Sequence, residues 1–239
     1  MDNKDYAVIK DYSEFSGMTI SEIEHRISNF KELTRNEWND FPYKTFHEKT
    51  FNFYKESKNY IFDLLSAGYE KEALINKLNY FNPFILLSLK IHPGKKFIDF
   101  GGGLGLMCEI ACELGKEATY LDIPGQVFEF AKWRFRKYNI PIKMICSSPV
   151  NPLLSDNFDI IFSDAVFEHL VDPEGTAEIL CAHINPGGLF ILLVDLSGYT
   201  TEMPMHRNID IQKIHQIIEN KGLVNIQGKN TFCSIWKNE

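Results

Sequence analysis

Phe97-Ile98-Asp99-Phe100-Gly101-Gly102-Gly103-Leu104-Gly105 is the stretch that decides how this chain folds. An apolar strand runs straight into a turn rich in glycine. Glycine has no Cβ and accepts positive φ, so such a backbone lets a ligand come close. Leu106 to Leu114 then reads as a helix. The N–H groups at its start favour an anion, such as a carboxylate or a phosphate. The next apolar run, Ala118-Thr119-Tyr120-Leu121-Asp122, ends in an acid that can accept hydrogen bonds from both hydroxyls of a ribose. Strand, glycine turn, helix, strand and acid is how open α/β sheets hold a nucleoside at the carboxyl ends of their strands.

Two cofactor classes use that arrangement. The dinucleotide fingerprint is G-x-G-x-x-G after a strand. Here Met107 and Cys108 follow the run where a further glycine would stand, so a nicotinamide oxidoreductase remains only as an alternative. With Asp99, the run reads D-x-G-x-G-x-G (Asp99, Gly101, Gly103, Gly105), which resembles the first motif of class I S-adenosylmethionine-dependent methyltransferases. The resemblance continues in register over roughly residues 95 to 239. Asp156 to Leu170 looks like the family's fourth strand and the loop after it. Asn185-Pro186-Gly187-Gly188, leading into Leu189 to Val194, looks like the turn that feeds its fifth strand. Asp122-Ile123-Pro124-Gly125, with Phe128 to Phe135, is similar to a subgroup that modifies glycans and small metabolites.

The resemblance implies an α/β fold: a Rossmann-like, seven-stranded, mostly parallel sheet with an antiparallel last strand. It also implies S-adenosylmethionine as cofactor. Asp99, Gly101 and Gly103 would surround its methionine part, with the carboxylate on the turn's backbone. Asp122 would bind the ribose and Ile123 would pack on the adenine. Ser147 and Ser148 follow the third strand, where the family often places a polar adenine contact. Many members carry an acid there, and this chain does not.

Composition narrows the partners. The chain has 239 residues, 44% of them hydrophobic, enough for a sizeable core. Its net charge of −7 argues against a nucleic-acid partner, which needs a basic patch. The densest basic cluster, Lys132, Arg134, Arg136 and Lys137, reads as a solvated helix face. Five cysteines without a C-x-x-C pair, and no close set of His, Asp, Glu and Cys, predict neither disulfides nor a metal site. A charged N-terminus and the lack of an apolar run of about 18 residues predict a reduced, cytoplasmic protein with no membrane span.

Residues 1–92 differ from the rest. They are rich in aromatics, lysine and glutamate, and poor in glycine. Three helical stretches are expected: Ser21 to Leu33, Tyr43 to about Ser66, and Glu70 to about Leu89 with an interruption near Asn82-Pro83. They predict a helical cap that closes over the cofactor, with Tyr6, Tyr12 and Phe15 as lid contacts. Residues 93–239 form the core. Strands are expected at 96–100, 118–122, 142–146, 158–163 and 188–195, and helices at 104–114, 125–138, 173–183 and 209–221. Leu223 to Gln227 and Thr231 to Trp236 should form a closing hairpin.

Methyl transfer from a sulfonium is an in-line displacement, so positioning supplies much of the rate. An alcohol acceptor also needs a base. His169, after the fourth strand, and His206, in the loop after the fifth, both sit where a base could act. The other reading of each is a histidine that shapes the pocket or lies in a solvated loop. Arg207 beside His206 could hold an anionic acceptor, and Asp164 at the tip of the fourth strand could orient an amine or hydroxyl. The predicted function is methyl transfer to a small-molecule acceptor, preferably to an oxygen of a sugar or specialised metabolite. N-methylation of a small amine is the alternative within the class.

Overall fold

The computed structural model describes residues 8–43, 45–67, 71–147 and 154–239. Seven helices come first among them: α1 (Val8–Ser16), α2 (Ile20–Ser28), α3 (Phe30–Asp40), α4 (Phe46–Glu56), α5 (Tyr60–Ala67), α6 (Lys71–Phe81) and α7 (Phe84–Ile91). The sheet region follows as β1 (Lys96–Phe100), α8 (Leu106–Glu113), β2 (Glu117–Asp122), α9 (Gln126–Lys137), β3 (Lys143–Cys146) and β4 (Phe158–Asp164). A short 3-10 turn (Phe167–His169), α10 (Pro173–Ala182), β5 (Ile184–Leu193), α11 (Ile211–Asn220), β6 (Leu223–Gln227) and β7 (Cys233–Asn238) complete it.

Among the described residues the strands form one seven-stranded sheet in the order β3-β2-β1-β4-β5-β7-β6. β7 runs antiparallel to β5 and β6, and the remaining neighbours pair in parallel. This is the mostly parallel sheet with an antiparallel last strand that the sequence predicts. The chain steps from β1 outward to β3, then returns to β4 on the other side of β1. That reversal opens a crevice at the carboxyl ends of β1 and β4. Side chains alternate across the sheet, as the period of two requires. Phe97, Ile160, Phe162, Leu189 and Ile191 join one core cluster with residues of α6 to α9. Ile98, Ile161, Phe190 and Leu192 join the other, with residues of α10 and α11.

The N-terminal region breaks into shorter helices than its periodicity suggests. The Glu37 carboxylate accepts from Ser57 Oγ (2.5 Å) and from the Lys58 and Asn59 N–H groups (2.8 and 3.1 Å). Those donors are lost to helix bonding, so the long expected stretch divides into α4 and α5. The expected interruption at Asn82-Pro83 is present, with Asn82 Oδ1 accepting from the Phe84 N–H at 3.0 Å. Leu78 of α6, and Ile85 and Leu89 of α7, are fully buried in the same cluster as the strand residues.

α1, α2 and α5 pack on the start of α8 and on α9 through a third cluster, in which Tyr12, Ile23, Phe62 and Leu65 meet Leu104, Leu106 and Phe130. Tyr12 lies edge-on to Phe62 and Phe130, at 5.7 and 5.2 Å between ring centres. Its hydroxyl accepts from Gln126 Nε2 at 2.9 Å. Phe15 packs on Phe130 and Trp133. Both rings therefore bind helix to helix and do not reach the crevice, while Tyr6 lies outside the described residues.

Arg134 corrects the reading of the basic cluster as solvated. Its side chain is wholly buried. Nε donates to Asp11 Oδ2 at 3.0 Å, Nη1 donates to the Leu104 carbonyl at 3.0 Å, and Glu109 forms an ion pair with it at 2.8 Å. The signal was hidden because the acids that neutralise it lie far away in sequence. Removing one member of such a network strands buried charge. Arg134→Met should destabilise the fold by about 3–5 kcal/mol in urea unfolding. Lys132→Ala, on the same helix with an exposed partner in Glu129, should change stability by less than about 0.5 kcal/mol. Equal effects would refute the network's role.

Candidate active site

The glycine turn is built against the end of β2. Gly101 and Gly102 N–H both donate to the Leu121 carbonyl, at 2.8 and 3.1 Å. Gly103 N–H donates to Asp122 Oδ2 at 2.8 Å, and the Tyr120 hydroxyl donates to the Gly103 carbonyl at 2.8 Å. Asp122 Oδ1 accepts from the Ile123 N–H at 2.7 Å. Gly101 sits at φ +76°, and a Cβ there would lie 2.3 Å from Val166 Cγ2. No other residue fits without moving the loop after β4.

Beneath the turn lies a cavity of about 260 Å³. Asp99, Gly101, Gly103, Asp122, Ile123, Asp164 and His169 line it from the sheet side. Thr50, Phe51 and Tyr54 of α4, Tyr60 and Leu64 of α5, and Leu74 and Lys77 of α6 close it from above. α4 also presses on the turn after β2: a Cβ on Gly125, at φ +153°, would lie 2.7 Å from the Lys55 carbonyl oxygen. Burial, together with the nearby Asp122 and Asp164 charges, pushes the Asp99 carboxyl well above the usual carboxylate range. Burial leaves Asp122 raised as well, a rise that hydrogen bonds from the Gly103 and Ile123 N–H groups and the Tyr120 hydroxyl offset only in part.

In the same cavity wall the Tyr54 hydroxyl lies 2.5 Å from His169 Nδ1. The Tyr54 and Tyr60 rings meet edge-on at 4.6 Å. Burial pushes both phenols well above their ordinary value. Burial holds the His169 imidazole well below its own, and His206 adds to that. A neutral imidazole thus faces a neutral phenol. His206 is buried behind His169, with ring centres 4.7 Å apart, and its Nδ1 is 3.7 Å from Asp195 Oδ2.

The sequence-predicted residues therefore divide. Asp99, Gly101, Gly103, Asp122, Ile123, Asp164 and His169 meet at one cavity, and His206 stands behind them. Ser147 does not line it: its N–H donates to the Asp122 carbonyl at 2.7 Å, and Ser148 lies outside the described residues. Arg207 pins the loop instead of facing an acceptor, donating to the Leu170 and Val171 carbonyls at 2.8 and 2.5 Å. Tyr54, Tyr60 and Lys77 were missed. Their aromatic and helical spacing marks a packed face, and nothing in it shows that the face covers a cavity. Among the described residues, no group of three or more His, Cys, Asp or Glu is placed to hold a metal ion.

A methyltransferase-domain family matches residues 69–238, a span that takes in α6 and α7. The chain belongs to the class I S-adenosylmethionine-dependent methyltransferases. It is similar to a ubiquinone biosynthesis O-methyltransferase of Nitrobacter winogradskyi, 29% identical over 102 residues, covering 43% of this chain and 39% of the relative. A Xanthomonas axonopodis protein of the same name is 24% identical over 152 residues, covering 61% and 63%. The chain thus spans about two fifths to three fifths of the length of these relatives. Among solved structures, an S-adenosylmethionine-dependent methyltransferase from Clostridium acetobutylicum superposes with a TM-score of 0.55 at 13% identity, covering 68% of this chain and 90% of that one. The magnesium protoporphyrin IX methyltransferase of Synechocystis, determined with bound cofactor, gives 0.53 at 11%, covering 88% and 92%. These likenesses show a shared fold.

S-adenosylmethionine is the cofactor of this methyltransferase, and the cavity suits it. At Gly103 the backbone is open toward the cavity, since a Cβ there would meet nothing nearer than Leu64 Cδ1 at 3.7 Å. Asp122 Oδ2 accepts from Gly103 and, at 3.3 Å, from the Tyr120 hydroxyl, so Oδ1, which accepts from the Ile123 N–H, keeps the lone pair for a ribose hydroxyl. Asp122→Ala should weaken S-adenosylhomocysteine binding by about tenfold or more in calorimetric titration. Because Asp122 also holds Gly103, thermal stability should fall as well. Unchanged affinity would place the ribose on another residue.

Proposed function

We propose that this methyltransferase transfers a methyl group to an oxygen of a hydroxylated small molecule, a sugar or specialised metabolite, bound beneath α4 to α6. One observation carries the reading. One cavity is lined both by the glycine turn with Asp122 and by the Tyr54–His169 pair. The curated relatives carry O-methyltransferase names, which supports oxygen as the acceptor atom. The net charge of −7 and a cavity closed over by helices support a small acceptor and not a nucleic acid. Residues 1–92 act as the cap and residues 93–239 as the core, with α6 and α7 tied to the sheet.

The cofactor supplies an electrophilic methyl group when bound. The chain supplies alignment, exclusion of water and a place for the acceptor's proton. Phe51, Tyr54 and Tyr60 wall the acceptor side with rings, which suits a planar or apolar body with a hydroxyl at its edge. His169 is the base. Its imidazole is neutral at neutral pH, and Tyr54 fixes the ring through Nδ1, leaving Nε2 for the acceptor hydroxyl in the tautomer that donates to Tyr54. His206 meets the His169 ring edge-on, with ring centres 4.7 Å apart, and helps hold it in place. Asp164 orients bound groups from the tip of β4.

A mass-shift screen against phenols, sugars and amines, followed by release of S-adenosylhomocysteine, should yield an O-methylated product. With that acceptor, His169→Ala should lower kcat by about 10²-fold or more, with S-adenosylhomocysteine affinity unchanged. Since burial keeps the His169 imidazole well below its ordinary value, kcat should stay level as pH falls through about 6.5, and drop only below that. A kcat that His169→Ala leaves intact would remove the base and favour an amine acceptor.

A further inference from the structure

The four glycines of the turn donate inward. Gly101 and Gly102 bond to Leu121, Gly103 to Asp122, and Gly105 to the Gly102 carbonyl at 2.8 Å. A carboxylate entering the cavity therefore does not find these N–H groups waiting, contrary to the expectation that the turn's backbone would receive it. Three aspartates line the cavity, while Lys77 is the one lysine or arginine among the described lining residues. Lys77 comes from α6, one turn beyond Leu74, which lines the same wall. Its Nζ donates to Asp164 Oδ2 at 2.9 Å, and both side chains are partly buried.

We infer that Lys77 and Asp164 form a zwitterion clamp for the α-amino acid end of the cofactor, Lys77 taking the carboxylate and Asp164 the ammonium. The inference rests on the reading of this cavity as the cofactor site. Position favours it. Asp122 ends β2 and Asp164 ends β4, with β1 between them. Two strand spacings separate their tips by about 10 Å, the scale of a methionyl chain carried on a ribose. Charge favours it too. A partly exposed ion pair adds little as a brace, because solvent screens its attraction and holding two side chains together costs entropy. A ligand that brings one charge of each sign meets both partners without leaving either alone. The clamp also gives Asp164 a different duty from orienting the acceptor, and it makes α6 part of the cofactor site.

The test is binding by the full chain, with no turnover needed. Four probes are titrated: S-adenosylhomocysteine, 5′-methylthioadenosine without the amino acid, an aminopropylthio analogue lacking only the carboxylate, and a carboxypropylthio analogue lacking only the amine. Lys77→Met should weaken S-adenosylhomocysteine and the carboxypropylthio analogue by about fivefold or more, and leave the other two within about twofold. Asp164→Asn should weaken S-adenosylhomocysteine and the aminopropylthio analogue instead. Retained 5′-methylthioadenosine binding shows that each variant is folded. If Lys77→Met costs all four probes equally, or none, the clamp is wrong. If the unaltered protein binds neither S-adenosylhomocysteine nor 5′-methylthioadenosine, the cofactor site itself has been misplaced.

Discussion

The hydrogen bonds between the end of β2 and the glycine turn are the constraint on which the site depends. Three successive residues, Tyr120, Leu121 and Asp122, hold the turn through its carbonyl and three of its N–H groups. A turn of glycines has more freedom to lose than any other backbone, so it stays in one shape only if something holds it. β2 does this by supplying an acid, a carbonyl and a phenol in a row. The same Asp122 that latches the turn faces the cavity. Structure and binding thus share one carboxylate, and the site is preorganised before a ligand arrives.

The second constraint is charge beneath the helices that precede β1. α1 is tied to α9 through Asp11 and Arg134, wholly inside the protein. α6 is tied to β4 through Lys77 and Asp164, at the wall of the cavity. α4 meets the core at Gly125 and at His169. The helices before β1 therefore supply parts of the site, and are more than a cover placed over it. The Tyr54–His169 pair is kept neutral because the helices before β1 and the loop after β4 together bury both rings.

Much of the core was legible because local patterns and topology agree there. Runs such as Phe97 to Phe100 and Phe158 to Ser163 have no polar face, and only a sheet covered on both sides accommodates them. The acid at Asp122 and the glycines stand close together in sequence, so their shared duty could be read. The helices before β1 were less legible. Their breaks depend on Glu37 reaching residues some twenty positions on, and Arg134 finds its neutralising acids at Asp11 and Glu109. Tyr54, Tyr60 and Lys77 carry no motif, and Tyr12 and Phe15, which look like lid residues, pack between helices. Which aromatic faces a cavity is decided by tertiary packing, which helical spacing does not encode.

The central claim is that the latched turn and the helices above it form a site for S-adenosylmethionine. Calorimetric titration of the full chain with S-adenosylhomocysteine, and in parallel with NADH, tests it most directly. The account predicts saturable binding of S-adenosylhomocysteine at a single site and no saturable response to NADH. Saturable binding of NADH with no response to S-adenosylhomocysteine would contradict it.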